Sequence, residues 1–194
     1  MKIHYVFSHP TMDSFNGALL DTAKSALKNH WVTYTDLYAQ SFDPVVGAGD
    51  LAGAFGEDVK KEIAHIQQAD LLILQFPLWW FSTPAILKGW MDRVFAFGVA
   101  YDSERRFKTG GFSGKKAMLV VTTQGPESSY QVNAANGTMD AILFPIHHAL
   151  QFVGFETLPP FVGYGVLANT KTENQNILKN YTSTLSNKFF RMGA

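Results

Sequence analysis

The segment that most restricts the fold is the run LLILQF at residues 71–76, which is almost continuously apolar. A strand with one solvent-exposed face alternates apolar and polar residues. This run does not alternate, so it predicts a parallel strand that is covered on both faces. Parallel neighbours are joined by long crossover connections, which are usually helices. This one segment therefore predicts an α/β protein.

Apolar runs alternate with helical patterns along the rest of the chain. We predict strands at residues 2–7, 31–36, 71–76, 117–122 and 156–161. We predict helices at residues 14–28, 58–68, 85–97, 139–152 and 172–188. This alternation predicts a flavodoxin-like α/β fold, a five-stranded parallel sheet of order 2-1-3-4-5 with helices on both faces, within a single domain at residues 1–194. Pro159 and Pro160 limit the fifth strand to an edge of the sheet.

Composition excludes several classes of function. The formal net charge of +0 argues against nucleic acid as a partner, because phosphate binding needs a basic excess. The first apolar run is too short for a signal peptide or a membrane span, so we expect a cytoplasmic protein without membrane insertion. Hydrophobic residues make up 46% of the chain and charged residues 16%, a surplus that indicates a buried subunit interface.

The sequence predicts no metal site. Cysteine is absent, which removes the thiolate ligands. The HExxH pattern does not occur, and no histidine and carboxylate cluster has the spacing of metal ligands. His147 and His148 are adjacent on a predicted helix, so their side chains point about 100° apart and cannot hold one ion together.

Three candidate site segments follow predicted strands, and the carboxyl ends of parallel strands share one edge of a sheet. The first segment contains His9, Ser14, Phe15 and Asn16. Open amides at the start of the next helix favour an anion, and a protonated His9 would add positive charge. Ordinary capping by Asp13 or Ser14 is the alternative, and this segment alone favours it.

The second segment follows Pro77 and contains Leu78, Trp79, Trp80 and Phe81. Flat aromatic walls at this edge suggest a flat aromatic ligand, whose polar rim would meet the backbone amides of residues 79–81. A core tryptophan cluster is the alternative. Because Trp79 and Trp80 follow a proline in a loop, at least one of the two rings should stay exposed.

The third segment, which leads to Tyr130, is Thr122, Thr123, Gln124 and Gly125. Threonine, glycine and open amides after a strand can form a cradle for carbonyl oxygens, and a tyrosine hydroxyl can donate a hydrogen bond to a ring. A plain strand-to-helix turn remains an equally good interpretation of this segment alone.

Four stretches of the sequence resemble the NAD(P)H:quinone oxidoreductase family, of which DT-diaphorase is the best-known member. SHPTMDSFNGAL at residues 8–19 is similar to the family's AHPxxxSFN segment, and QFPLWWFSTPAILKGWMDRVFAFGVAYD at 75–102 is similar to FPLxWFxxPAxLKGWxDRVF. KKAMLVVTTQGPESSY and DAILFPIHHALQFVGFETLPPF follow in the same order. The resemblance runs from residue 2 to residue 190 and is closest to short bacterial-type members.

The resemblance implies FAD rather than FMN as the cofactor, NAD(P)H as the co-substrate, and a homodimer with two sites at its interface. His9, Ser14, Phe15 and Asn16 would hold the pyrophosphate and ribityl chain. The isoalloxazine ring would lie against one set of residues: Leu78, Trp79, Trp80, Phe81, Thr122, Thr123, Gln124, Gly125 and Tyr130. Tyr130 and Gly125 are then the catalytic candidates. Trp80, Phe81, Gln124 and Tyr101 would contact substrate, and Tyr101 would reach the partner's pocket.

The implied reaction is a ping-pong transfer of hydride from NAD(P)H through the flavin to a quinone, with azo and nitro compounds as alternative acceptors. Asn136 stands where mammalian members carry a histidine six residues after the tyrosine, so we predict that Tyr130 acts only as a hydrogen-bond donor. Gln124 replaces the first glycine of the family's Gly-Gly pair.

Two other functions remain as alternatives. One is a regulatory oxidoreductase subunit of a potassium-efflux transporter. The other is a flavodoxin-type electron carrier, although such carriers are usually strongly acidic and this chain is neutral.

Overall fold

A computed structural model describes residues 1–186 of the 194-residue chain. All strand pairings in it are parallel, and the sheet order is β2-β1-β3-β4-β5, with a short sixth strand that also pairs with β4. The strands are β1 Lys2–Phe7, β2 Trp31–Asp36, β3 Leu71–Pro77, β4 Lys116–Thr122, β5 Glu156–Thr157 and β6 Phe161–Gly163. The predicted flavodoxin-like order 2-1-3-4-5 is confirmed.

The fifth strand position is divided, whereas the sequence predicted one strand at residues 156–161. β5 pairs with the start of β4 and β6 with its end. Pro159 and Pro160 separate the two pieces, and a proline has no N–H to donate to a ladder. The Leu158 amide still donates to the Ala117 carbonyl at 2.8 Å, so the interruption is confined to the proline pair and the turn around it.

Within residues 1–186 there are six α-helices, five between strands and one after the last strand, and most lie where the sequence predicted them. They are α1 Phe15–Ala26, α2 Ala48–Leu51, α3 Glu57–Gln68, α4 Ala85–Val94, α5 Met139–Phe152 and α6 Lys171–Leu185. The short α2 was not predicted. The helix predicted at 85–97 ends three residues early, because the chain turns back and the Gly98 amide donates to the Tyr101 carbonyl at 2.7 Å. The end of the helix predicted at 172–188 lies outside the described residues. Between residues 1 and 186, no helix combines the length and the apolar character that a bilayer span requires.

The sheet lies between two helical layers. Leu72, Leu74 and Phe76 of β3 pack in one apolar cluster, which also contains buried residues of α3, α4 and α5. Leu71 and Ile73 pack in the opposite cluster, with buried residues of α1 and α6. Each face of β3 is therefore covered, as the continuous apolar run predicted.

The long loop between β2 and α3 is tied to α4. Arg93 donates to Asp50 at 2.8 Å, to the Asp43 carbonyl at 2.8 Å and to Asp58 at 2.9 Å. Gly89 permits the close approach, since a Cβ there would lie 2.2 Å from the Pro44 carbonyl oxygen. The loop is consequently ordered by one arginine and one glycine of the same helix.

Candidate functional site

An open cleft of about 280 Å³ lies at the carboxyl-terminal edge of the sheet, where the three candidate segments meet. The residues that line it and that the sequence singled out are His9, Ser14, Phe15, Asn16, Leu78, Trp79, Thr122, Thr123 and Gln124. These come from the ends of β1, β3 and β4, which are neighbours in the sheet. The tertiary structure thus joins segments that are more than 100 residues apart.

The loop after β1 is organised by the cap of α1. The Ser14 hydroxyl accepts from the Gly17 amide at 3.1 Å and donates to the Thr11 carbonyl at 2.8 Å. Asn16 and Phe15 precede the first hydrogen-bonded amide of the helix, and no described residue accepts from their backbone N–H groups. The capping that the sequence offered as an alternative is present, and it leaves two amides open for an anion.

His9 is partly exposed at the same end of the cleft. Its Nδ1 lies 2.8 Å from the Thr11 carbonyl oxygen, and its ring centroid lies 6.4 Å from that of Trp79. The imidazole therefore stands between the β1 loop and the aromatic segment. This position is compatible with a contact to a ligand that spans both.

Asn16 and Thr122 are buried and paired with each other. The Asn16 side-chain amide donates to the Thr122 hydroxyl at 2.8 Å, and the Asn16 carbonyl accepts from the Gln75 side chain at 2.7 Å. The Thr122 carbonyl accepts from the Leu78 amide at 2.8 Å. These bonds connect the first turn of α1 to the ends of β3 and β4, so both residues hold the walls of the cleft in position.

The aromatic segment forms a two-residue turn with unusual backbone angles. Trp80 and Phe81 have φ values of 50° and 60°, and Trp79 and Ser82 exchange two backbone hydrogen bonds of 3.0 Å. This is the geometry of a type I′ turn, which favours Asn-Gly because side chains with a Cβ are strained there. Trp80 is 94% exposed and Phe81 51% exposed. A strained turn presents two aromatic rings to solvent, which is a recognisable mark of a ligand surface.

Some backbone N–H groups of this turn donate hydrogen bonds within the protein, and others do not. From the sequence we expected the N–H groups around Trp79–Phe81 to meet a ligand. The Trp79 N–H instead donates to the Ser82 carbonyl. For the N–H groups of Trp80 and Phe81, no described residue serves as acceptor. Neither residue lines the cleft itself. Their rings stand beside the wall that Leu78 and Trp79 form.

The loop after β4 contains the two residues that the sequence named as catalytic. A Cβ placed on Gly125 would lie 3.2 Å from the Tyr130 hydroxyl, so the two residues are in close contact. The Thr123 hydroxyl donates to the Gly125 carbonyl at 2.7 Å, and its amide donates to Gly163 at 2.9 Å. Within Thr122–Gly125, the amides of Gln124 and Gly125 have no acceptor among the described residues. The expected cradle is therefore two amides wide.

Tyr130 packs against Tyr164, a residue that the sequence did not suggest, with ring centroids 5.8 Å apart. Burial raises the pKa of the Tyr164 phenol, and the nearby carboxylates of Glu127 and Asp140 raise it further. Tyr164 therefore stays protonated at neutral pH. Between Tyr130 and Asn136, no hydrogen bond occurs in the described part of the chain.

Five residues line the cleft that the sequence analysis did not name as site residues: Thr11, Asp13 and Pro77, which lie in or next to the candidate segments, and Val166 and Leu167, which do not. Val166 and Leu167 follow β6, whose end pairs with Thr122 at the end of β4. The signal that points to them is the fifth strand end itself, since every parallel strand delivers its carboxyl end to this edge. Gly163 and Gly165 flank that end in the sequence.

Tyr101 lies outside the cleft. It lines a separate cavity with Asp50, Arg93 and Phe97, and its ring makes an edge contact with Phe97 at 5.7 Å between centroids. Within one chain, the structure does not bring Tyr101 to the other site residues. The expectation that it serves a partner's pocket remains a prediction.

Known proteins are similar to this chain in fold and in sequence. A family described as having the flavodoxin-like fold matches residues 1–187. The chain is 37% identical to NAD(P)H dehydrogenase (quinone) 1 of Cavia porcellus, over 94% of this chain and 75% of that protein. It is 35% identical to ribosyldihydronicotinamide dehydrogenase (quinone) of Mus musculus, over 95% of this chain and 90% of that protein.

A solved structure gives the same result. A Klebsiella pneumoniae protein described as a quinone reductase superposes with a TM-score of 0.88 at 36% identity, covering 95% of this chain and 83% of that one. The extent and level of these similarities establish that the chain belongs to the NAD(P)H:quinone oxidoreductase family of flavodoxin-like proteins.

Proposed function

We propose that this chain is a flavin-dependent NAD(P)H:quinone oxidoreductase. It transfers two electrons as hydride from NAD(P)H through FAD to a quinone, in a ping-pong sequence. The observation that carries the proposal is the strained turn that holds Trp80 and Phe81 beside the cleft. Two exposed rings in a left-handed turn cost free energy, and a flat aromatic ligand is what such a surface would bind.

The donor groups of the cleft fit a flavin at both of its ends. At the β1 end, the open amides of Phe15 and Asn16 suit phosphate oxygens. At the β4 end, the open amides of Gln124 and Gly125 suit the carbonyl oxygens of a ring. Glycine suits position 125, since a Cβ there would crowd the Tyr130 hydroxyl at 3.2 Å.

A bound flavin supplies a ring that can accept hydride from one partner and release it to another. The chain supplies orientation, because Trp80 and Phe81 offer flat surfaces that restrict a substrate to a stacked position. The phenol of Tyr130 offers a hydrogen bond from the Gly125 side. Asn136 has no titratable group, so Tyr130 has no proton relay partner at that position.

The test is a set of half-reactions on the purified protein. We expect a yellow protein, or one that becomes yellow with added flavin, whose colour is bleached by NADH or NADPH without oxygen and restored by menadione. A Tyr130→Phe variant should bind flavin normally and slow at least one half-reaction. A colourless protein that no flavin reconstitutes would overturn the proposal, and full rates in Tyr130→Phe would remove Tyr130 from it.

The identity of the flavin needs its own measurement. We propose FAD because the sequence resemblance implies it; the two open amides beside His9 suit a phosphate of either flavin. Flavin released by heat or acid should therefore elute as FAD in chromatography. Recovery of FMN alone, with tighter rebinding of FMN than of FAD, would correct this part and leave the hydride chemistry intact.

The identity of the hydride donor can also be tested directly. The two mammalian relatives carry names with different donors, NAD(P)H in one and ribosyldihydronicotinamide in the other. We propose NAD(P)H. Flavin reduction should be measured with NADH, NADPH and ribosyldihydronicotinamide at matched concentrations, and reduction by the last compound alone would contradict the proposal.

The proposal includes a homodimer with sites at the interface. An aromatic ladder runs from Phe144 through His148, Phe107, Phe152 and Tyr101 to Phe97, with successive ring centroids 5.3–5.7 Å apart. Its two ends are 62% and 65% exposed. A contiguous apolar surface of this kind favours a protein interface, and a second copy of the chain supplies a matching one.

Sedimentation equilibrium tests the dimer. The wild-type protein should sediment as a dimer at micromolar concentration, and Phe144→Ser should weaken that dimer. Val132→Ser is the matched control, because Val132 is also exposed but lies off the ladder. A wild-type monomer with full activity would contradict the shared site.

A further inference from the structure

A buried cluster of possible metal ligands lies on the α3 side of the sheet, well away from the cleft. His4 projects from β1, and Glu62 and His65 lie one turn apart on α3. One ligand atom from each of the three lies within 4.8 Å of the others. His4 and Glu62 are fully buried, and His65 is largely buried.

Two separations in the cluster are close to those between neighbouring ligands of one ion. His4 Nε2 lies 3.1 Å from Glu62 Oε2, and His65 Nδ1 lies 3.6 Å from Glu62 Oε1. Ligands at the usual zinc distance of about 2.0–2.1 Å are separated by roughly 3.3 Å in a tetrahedron. Two imidazoles and one carboxylate are also a ligand set that zinc uses in proteins.

Neighbouring side chains already orient the ligands. Glu62 accepts from the Trp90 indole at 2.8 Å and from the Thr35 hydroxyl at 2.8 Å. His4 Nδ1 lies 2.9 Å from the Thr33 hydroxyl, which leaves Nε2 as the atom that faces the carboxylate. Metal sites are commonly supported in this way, by hydrogen bonds that fix each ligand from behind.

One atom of the cluster lacks a partner. His65 Nδ1 is inaccessible to solvent and forms no hydrogen bond, and its separation from Glu62 is too long for one. Burying such a nitrogen without a partner costs free energy, and a metal ion would remove that cost. His65 also lines an open pocket of about 180 Å³ with Thr33, Trp31 and Gln68, so this ligand separates the buried cluster from solvent-accessible space.

We propose that His4, Glu62 and His65 bind a zinc ion, with a water in the fourth position. The site lies toward the amino-terminal ends of β1 and β2, opposite the edge that carries the cleft. It would join β1 to α3, so we expect a bound ion to stabilise the fold. The competing arrangement is a metal-free His4–Glu62 hydrogen bond, which satisfies these two residues but leaves the His65 nitrogen unpaired.

Calorimetry on the full-length protein, freed of any histidine tag and treated with chelator, tests the proposal. Zn²⁺ should bind at one ion per chain. His65→Gln should weaken binding by more than the about 10–100-fold that loss of a supporting residue costs. His30→Gln is the matched control, because it makes the same change at a histidine outside the cluster, and it should leave the affinity unchanged. Equal binding in wild type and His65→Gln, or no binding in wild type, would overturn the site.

Anomalous scattering gives a second readout that does not depend on any variant. A crystal soaked in Zn²⁺ should show a peak at the zinc edge between the three side chains. A peak only at surface histidines would mean adventitious binding and would reject the site. Because neither measurement uses activity, a negative result leaves the proposed oxidoreductase function standing.

Discussion

The side-chain amide of Asn16 donates a 2.8 Å hydrogen bond to the hydroxyl of Thr122, across 106 positions of sequence. Asn16 lies in the first turn of α1 and Thr122 ends β4, so this bond connects two walls of the cleft. Both side chains are buried, so breaking this hydrogen bond would leave a buried polar group without a partner and destabilise the fold. The geometry of the cleft therefore depends on the buried hydrogen bond between Asn16 and Thr122.

Replacing Asn16 by alanine should destabilise the protein by about 1–3 kcal/mol, because it leaves the buried Thr122 hydroxyl without its partner. Flavin affinity should fall with it, since the walls of the cleft lose their connection. Urea unfolding and a flavin titration measure the two effects. Asn180→Ala makes the same change on the exposed face of α6 and should stay within about 0.5 kcal/mol of wild type. Equal effects of both variants would contradict the role of the buried bond.

The strained turn should show a conflict between stability and function. Trp80→Asn with Phe81→Gly installs the pair that type I′ turns prefer, and Trp80 is too exposed to lose packing. The flavin-free protein should become more stable by about 1–2 kcal/mol. Flavin affinity and quinone turnover should decrease because both rings are gone. Lower stability together with unchanged turnover would mean that the turn serves the fold rather than a ligand.

The contact between Gly125 and Tyr130 predicts a coupled pair of substitutions. Gly125→Ala puts a methyl group 3.2 Å from the Tyr130 hydroxyl and should cost about 1–3 kcal/mol through crowding. Tyr130→Phe removes that hydroxyl, so Gly125→Ala should cost less when it is combined with Tyr130→Phe. A double-mutant cycle on stability and on flavin affinity measures the coupling. Additive effects would show that the methyl group is accommodated elsewhere.

Acid stability should depend on the Arg93–Asp50 ion pair. The hydrogen bond from Arg93 holds the pKa of the Asp50 carboxyl below its usual range, and the Asp50 side chain is only 8% exposed. A lowered folded-state pKa adds stability above the unfolded value of about 3.9, and this is lost as pH falls through the folded value. Wild type should thus exceed Asp50→Asn in stability at pH 6, and the difference should shrink as pH falls below about 4.

Thermal unfolding from pH 6 to pH 2.5 measures this difference. Asp21→Asn is the control, because Asp21 is an exposed residue whose 3.6 Å contact with Lys24 is worth little. If the difference in stability between wild type and Asp50→Asn instead stays constant across this pH range, another group controls the acid transition.

Several features of the fold could be predicted because each depends on local burial. The apolar run of β3 indicated cover on both faces, and the two clusters that pack on it confirm this. The alternation of strands and helices predicted the sheet order and placed three segments at one edge. The break in the fifth strand could have been predicted as well, since Pro159 and Pro160 stand inside it.

The details of the site required contacts between distant residues. No periodicity indicates that Asn16 bonds Thr122, that Trp80 and Phe81 take positive φ angles, or that Tyr101 lies away from the cleft. The grouping of His4 with Glu62 across 58 positions is equally invisible in the sequence, which predicted no metal site. Sequence by itself determined which segments are buried, in what order they pair and which strand ends share an edge, because these follow from short-range patterns. Only the tertiary structure decided which polar atoms meet, because strand register and helix docking set that distance.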